Sequence, residues 1–467
     1  MAGFRFAMAH LGCRSNQEEV DALRSQLLAL GGEETPFPGP AEVTIVNTCA
    51  VTASAQAQSR QEIRKAARCP GQGWVIATGC AAQLDPQWLA NLPGVGLVLG
   101  NREKVRLGDL LARWLDGGDL AEALRDARLQ PALDVPPSAN PGPAASPAVI
   151  CWSEDPTPPA FLSRCGPVAR VRSRVALKIQ DGCSERCAYC IVSRLRGHPI
   201  SRDAREVIGE VRRLAREGFA EVVLAGINLG LYGRAEGAAS LADLLESLEA
   251  VDEIRRIRLS SLEPMTVTDE LLDRMAASPR IAPHLHLAVQ SGDDDLLRRM
   301  GRPYRAADIE RLAAAIFARM PRAALGMDIV AGLPGETREA FERTLRLVER
   351  VGATYLHAFA YSERPGTAAA DMKPVVPHPL RRERVHQLRA LDDRLRSRYQ
   401  ETLEGRRCQV VIEWVDEERF EGLSGEYVRM RGHLPASGRS PRPGDWVEVI
   451  SGAAIAPGTQ DCRIVED

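Results

Sequence analysis

Three cysteines fall within eight residues in Asp181-Gly-Cys183-Ser-Glu-Arg-Cys187-Ala-Tyr-Cys190. A loop this short can turn three sulfurs toward one centre, as iron–sulfur ligation requires. No fourth Cys or His follows closely. His198 comes eight residues later, between Gly197 and Pro199, in an expected turn. Zinc sites usually combine two couples at a distance, which fits this spacing less well. Three thiolates would leave one iron of a four-iron cluster open to an outside ligand. Three further cysteines, Cys13, Cys49 and Cys80, each stand just past an apolar run: Phe4–Met8, Val43–Asn47 and Trp74–Thr78. If those runs are parallel strands, their carboxyl ends share one edge, where open α/β sheets bind ligands. A second three-thiolate site is therefore expected. Cys69, Cys151, Cys165, Cys408 and Cys462 lack such placement and read as buried or incidental thiols.

The elements that must position these cysteines follow from periodicity. The three runs, with a fourth at Gly96–Leu99, alternate with helical stretches at Gln17–Leu30, Ala53–Arg68 and Lys104–Trp114. That alternation predicts an α/β domain with a Rossmann-like parallel sheet over residues 1–130. Residues 131–168 read as an extended linker, with nine prolines between 131 and 159. From 169 to 400 strands are expected at Val175–Gln180, Glu221–Ala225, Ile257–Ser260, His284–Ala288, Leu325–Val330 and Tyr355–Phe359, with helices between. Six such repeats suit a partial (βα)6 TIM barrel, whose active site forms at the strands' carboxyl ends. The Cys183–Cys190 loop follows the first of these strands. Over 401–467 the β-like runs Val410–Trp414, Tyr427–Arg431, Trp446–Ile450 and Cys462–Val465 predict a small antiparallel barrel.

The 467 residues carry 45% hydrophobic and 26% charged side chains, ordinary for a folded chain of about three domains. No run reaches the ~20 apolar residues of a membrane helix. The start, MAGFRFAMAHLGC, lacks the pattern of a signal peptide, so the cytoplasm is expected. There, eleven cysteines point to metal or redox chemistry rather than disulfides. The net charge of −2 is uninformative, but its distribution is not. Residues 381–407 hold nine arginines against five acids, a possible phosphate-facing stripe. Residues 401–467 hold 13 acids against eight arginines. That sign is wrong for simple docking of nucleic acid, although Trp414, Phe420, Tyr427 and Trp446 are available for stacking.

The CxxxCxxC loop, with Tyr189 before its last cysteine, resembles the signature of radical S-adenosylmethionine (SAM) enzymes. Over nearly its full length the chain resembles the methylthiotransferases among them. The matching segments are Gly12-Cys13-Arg-Ser-Asn16-Gln17, Asn47-Thr48-Cys49, Thr78-Gly79-Cys80-Ala-Ala-Gln83, Gly100-Asn101-Arg102-Glu103-Lys104, Gly226-Ile-Asn228-Leu-Gly230, Ser260-Ser261-Leu-Glu263-Pro264, Gln290-Ser-Gly292, Gly332–Thr337 and Tyr361–Thr367. This resemblance implies two [4Fe-4S] clusters. One, on Cys183, Cys187 and Cys190, would bind and cleave SAM. The other, on Cys13, Cys49 and Cys80, would carry sulfur. It also implies a TRAM-type C-terminal barrel for substrate recognition. Gly226 and Asn228 match the segment contacting the SAM amino group, and Tyr189, Ser261, Glu263 and Gln290 are further candidate SAM contacts.

Asn16-Gln17 after the first cysteine looks like the branch acting on threonylcarbamoyl-adenosine in tRNA, with position 37 the expected site. The implied reaction is methylthiolation at adenine C2. A first SAM methylates a cluster-held sulfur, and a second supplies the radical that activates C2. Beyond tRNA, it needs a reducing electron donor and a sulfur donor the sequence leaves unknown; no membrane partner is expected. Rival substrates are isopentenyl-adenosine in tRNA and a ribosomal-protein aspartate, which the acidic barrel would suit. A cobalamin-binding radical SAM enzyme would need an Asp-x-His-x-x-Gly segment that the sequence lacks. A non-enzymatic iron–sulfur scaffold would not need the intact cysteine loop.

Overall fold

A computed structural model describes residues 3–71, 73–117, 122–124, 129, 148–166, 173–234, 237–435 and 440–465. Much of the proline-rich stretch lies outside these residues. The N-terminal domain holds six parallel strands: β1 (Phe4–His10), β2 (Gly32–Glu34), β3 (Val43–Thr48), β4 (Trp74–Gly79), β5 (Val95–Leu99) and β6 (Val149–Cys151), in the order β2-β1-β3-β4-β5-β6. β3 and β4 are buried at every residue, as the central strands of a sheet covered on both faces must be. β6 departs from the linker expectation. The apolar triplet Val149-Ile150-Cys151 is buried and pairs along β5, so the chain returns to the sheet before it leaves the domain.

The central domain supplies β7 (Arg174–Lys178), β8 (Gln180–Asp181), β9 (Ile200–Ser201), β10 (Glu221–Ala225), β11 (Arg256–Leu259), β12 (His284–Gln290), β13 (Ala324–Ala331) and β14 (Tyr355–Ala360). Two parallel sheets, β7-β10-β11 and β12-β13-β14, are joined by two isolated parallel bridges, Ile257 with Ile281 and Leu262 with Leu287. Together they make the six-stranded partial barrel the sequence predicts. One apolar cluster, including Leu224, Leu259, Leu287, Met327 and Leu356, fills the space between this wall and its outer helices. The helix His378–Glu401 packs against β14 and leads into the C-terminal domain.

That domain is a closed five-stranded barrel, β15 (Arg407–Val415), β16 (Arg419–Ser424), β17 (Arg429–His433), β19 (Thr459–Ile464) and β18 (Trp446–Ala456) in ring order. Four pairings are antiparallel and one, β17 with β19, is parallel, so the expected all-antiparallel barrel closes differently. Its aromatics are also turned differently from the expectation. Phe420 is core, Trp446 lies under the Arg256 guanidinium and Tyr427 enters the central barrel; of the four, Trp414 alone is exposed.

Candidate functional site

The carboxyl ends of β1, β3 and β4 bring Cys13, Cys49 and Cys80 to one edge. Asn16 fixes the first turn, donating its amide N–H to Leu11 O (2.7 Å) and Thr48 O (3.0 Å). Asn47 donates back to Asn16 O at 3.0 Å, and Ala81 N–H donates to Thr48 Oγ1 at 3.1 Å, so the three strand ends are laced together. Gly12, at φ +91°, lies so close that a Cβ there would be 2.7 Å from Cys49 Sγ. Burial pushes the Cys49 thiol up to about 12, with Cys80 and Cys13 nearby adding to the rise. A thiol raised this way, as Cys49 is, keeps its proton unless a cation replaces it, which is the donor chemistry of a metal cluster.

The second triad sits on the loop after β8. Each of its sulfurs receives an N–H donor: Cys183 from Glu185 N at 3.4 Å, Cys190 from Val192 N at 3.4 Å and Cys187 from Arg302 Nη1 at 2.9 Å. Donors of this kind hold negative charge on sulfur and set the potential of a bound cluster. Burial, with Cys187 and Cys183 close by, carries Cys190 to about 12. Neither triad gathers its sulfurs as tightly as a single ion would need. Among the described residues only His286, Asp328 and His357 bring three ligand atoms within 4.8 Å of one another. Both triads thus fit a polynuclear cluster better than one metal ion.

The other candidates divide. Gln180 Oε1 accepts from Asn228 N–H at 2.8 Å and abuts Gly226, stapling the loop after β10 to the cysteine loop. The Asn228 side chain is buried beside Cys183, and neither amide atom makes a hydrogen bond of normal geometry within the chain. It is thus available to a polar ligand there. Gln290 ends β12 at φ +68°, a strained conformation for a residue with a side chain. Glu263 is engaged by Arg302, and Tyr189 packs on the apolar cluster of Leu296, Met300 and Tyr361, so both have structural partners. Ser261 is exposed beyond the end of β11.

Two residues escaped the sequence reading. Arg302 gave no local signal, because its partners Cys187 and Glu263 lie 115 and 39 residues away. Glu19, wholly buried, accepts from Lys104 (2.6 Å), Lys178 (2.7 Å) and Arg196. Lys178 and Arg196 reach on to Asp181 at 2.8 and 3.4 Å. Burial would raise the Glu19 carboxyl, but Arg196, Lys104 and Lys178 hold it well below the carboxylate range. This network runs from the Cys13 turn, through Asn16 and Arg196, to the start of the Cys183 loop.

The charged regions are partly structural. Arg381 and Arg384 of the C-terminal helix are buried and pair with Glu363 and Glu336, so they cannot face phosphate. In the acidic barrel, Glu413 pairs with Arg174 of β7 at 2.7 Å, and Glu421 pairs with Arg429 and Arg431. Part of the acid excess therefore joins two domains or balances arginines within the barrel.

Comparison with known proteins gives concordant matches. Residues 177–348 match the radical SAM superfamily and residues 5–100 match "Uncharacterized protein family UPF0004". Threonylcarbamoyladenosine tRNA methylthiotransferase MtaB of Aquifex aeolicus is 32% identical over 91% of this chain and 96% of its own length. The Bacillus subtilis protein of that name is 32% identical over 90% and 88%. The tRNA-2-methylthio-N(6)-dimethylallyladenosine synthase of Mycobacteroides abscessus is 32% identical over 95% and 85%. Among solved structures, the radical SAM methyltransferase TsrM of Kitasatospora setae matches with TM-score 0.56 and 18% identity over 79% of this chain and 74% of that one, a likeness of fold.

Proposed function

Since the chain belongs to the radical SAM methylthiotransferases of the MtaB branch, we propose that it places a methylthio group on C2 of N6-threonylcarbamoyladenosine in tRNA. The observation that carries the chemistry is the pair of cysteine triads, one on each domain, joined by the buried Glu19 network, and the MtaB-named relatives support the substrate. Cys183, Cys187 and Cys190 would hold the SAM-binding [4Fe-4S] cluster, and Cys13, Cys49 and Cys80 the sulfur-carrying one. The clusters and SAM held there would supply radical and sulfur-transfer chemistry, which lies beyond any side-chain acid or base.

The chain's own residues bind, orient and shield. Asn228 offers its buried amide to the polar end of SAM beside Cys183. Arg302, hydrogen-bonded to Cys187, Tyr304 Oη and Ala288 O, fixes that sulfur against the barrel wall. Arg196 and Arg364 bring positive charge to the other triad, Arg196 near Cys80 and Cys13 and Arg364 near Cys49. Position 37, a cytoplasmic setting and an outside electron donor follow from the same reading. No described helix is long and apolar enough to cross a membrane.

The test is an anaerobic reconstitution with purified tRNA, read by nucleoside mass spectrometry. The wild-type protein should bind about eight irons by cluster arithmetic and convert threonylcarbamoyl-adenosine. Replacing Cys13, Cys49 and Cys80 together with Ala should leave about four irons and SAM cleavage but no thiolation. Thiolation that survives in that variant rejects the two-cluster reading. Conversion only of isopentenyl-adenosine assigns the rival substrate.

A further inference from the structure

Strand alternation divides β14 cleanly. Leu356 and Ala358 pack toward the helices, while Tyr355, His357 and Phe359 face the barrel interior. His357 and Phe359 are 43% and 47% exposed, so this wall is free to meet a ligand. Gly326 on β13 makes the arrangement possible, because any Cβ there would collide with the Tyr355 ring. Tyr355 therefore lies across β13 and touches two histidines of β12. Its hydroxyl is 2.8 Å from His284 Nε2 and 2.8 Å from His286 Nδ1, and His286 Nε2 is 2.8 Å from Asp328 Oδ1. His357 Nδ1 stands 3.3 Å from the same oxygen.

These contacts close as hydrogen bonds without an ion. His284 donates to Tyr355, Tyr355 to His286, and His286 and His357 both donate to Asp328. Arg258 and Arg14 add positive charge near the histidines, which disfavours a metal cation and favours an anion. Burial works to raise the Asp328 carboxyl, but hydrogen bonds from His286 and His357 prevail and bring it down to about 2. Asp328 thus holds His357 by Nδ1 and leaves Nε2, on a ring 43% exposed, for a ligand: in the imidazolium it donates to a carboxylate, and in the neutral ring it accepts from a hydroxyl or urea N–H.

The two tRNA substrates named among the relatives differ at adenine N6. One carries a threonylcarbamoyl group, with carboxylate, hydroxyl and urea; the other carries a hydrocarbon. A wall of this polarity pairs with the first. Against the second it would lose water and gain no partner, and that imbalance is what rejects an analogue lacking polar groups. Phe359, one pleat nearer the cysteine loop, offers a ring face to the adenine itself.

We propose that His357, aimed by Asp328, is the specificity-determining residue that reads the N6 substituent and selects a carboxylate-bearing group over a hydrocarbon. This rests on the tRNA reading above and adds the residue that makes the choice.

The reconstituted holoenzyme is assayed on anticodon stem-loop RNAs carrying either modified adenosine, with kcat, KM and equilibrium binding measured separately. His357→Leu should lower the preference for the threonylcarbamoyl RNA about 10- to 100-fold, mostly through KM, with iron content unchanged. His357→Gln, whose amide keeps a donor and an acceptor near the Nε2 position, should retain more of the preference. A Leu variant with wild-type preference, or one that loses both RNAs equally, overturns the inference alone. A wild-type enzyme that acts on neither RNA, or prefers the hydrocarbon, overturns the functional reading and the inference with it.

Discussion

Glu19 joins the turn after β1 to the start of the Cys183 loop. It has no exposure, and three cations depend on its charge. Removing one partner of a buried ion network leaves uncompensated charge, which costs far more than a surface pair. Glu19→Gln should destabilise the protein by about 3–5 kcal/mol in urea unfolding, and it should loosen the Cys13 turn through Asn16. Lys104 shows the strain of the arrangement: burial and the nearby Arg196 push its ammonium down to about 8 despite Glu19. Nothing local in Gln17-Glu18-Glu19-Val20 marks this role, because the helix Arg14–Ala29 reads as an ordinary amphipathic segment. Its partners stand 85, 159 and 177 residues away. The Cys183–Cys190 spacing was legible because it is local, and Cys13, Cys49 and Cys80 because each follows an apolar run; long-range charge pairing leaves no such mark.

At the scale of elements, the strand ends do the positioning. β3, β4 and β10 were readable because wholly buried parallel strands are continuous apolar runs. β16 was not, since Arg-Phe-Glu-Gly-Leu-Ser hides its inward residues among polar ones. β6 was hidden by its proline-rich surroundings. The turns after the strands make a sharper prediction. Gly12→Ala must place a methyl against Cys49 Sγ in a left-handed backbone. It should lower iron toward about four per chain while SAM cleavage persists, as iron assay and deoxyadenosine release would show. Full iron loading in this variant would mean that the Cys13 turn does not need its close approach to Cys49.

For the whole molecule, the junction of the central and C-terminal barrels is ionic. Glu221 at the start of β10 pairs with Arg256 (2.9 Å) and Arg258 (2.8 Å), and Arg174 is 3.6 Å away. Those arginines reach the small barrel: Arg256 donates to Gln409 O, Arg258 to Ser424 O and Gly425 O, and Arg174 to Glu413. Burial would raise the Glu221 carboxyl, but Arg258, Arg256 and Arg174 carry it from 4.5 to about 2. A carboxyl depressed in the folded state binds fewer protons there than when unfolded. Its stabilisation is therefore complete above about pH 4.5 and is lost as pH falls toward 2. Between those limits wild type should lose roughly 3 kcal/mol more than Glu221→Gln, measured by urea unfolding of the metal-free chain. The acid excess of residues 401–467 was visible in the sequence, but not that Glu413 serves this junction.

Tyr427 gives that junction a further meaning. It holds a left-handed backbone at φ +63°, stacks on His284 with ring centres 4.4 Å apart and accepts a hydrogen bond from Arg14, next to Cys13. One side chain of the C-terminal barrel thus touches both other domains. The barrel is consequently not an exchangeable cartridge. A graft from a relative onto this core would have to bring its own tyrosine and meet Arg14, His284 and Arg258, whose guanidinium lies 5.4 Å from the Tyr427 ring centre. A replacement barrel fits this core only if it already carries its part of this four-residue lock.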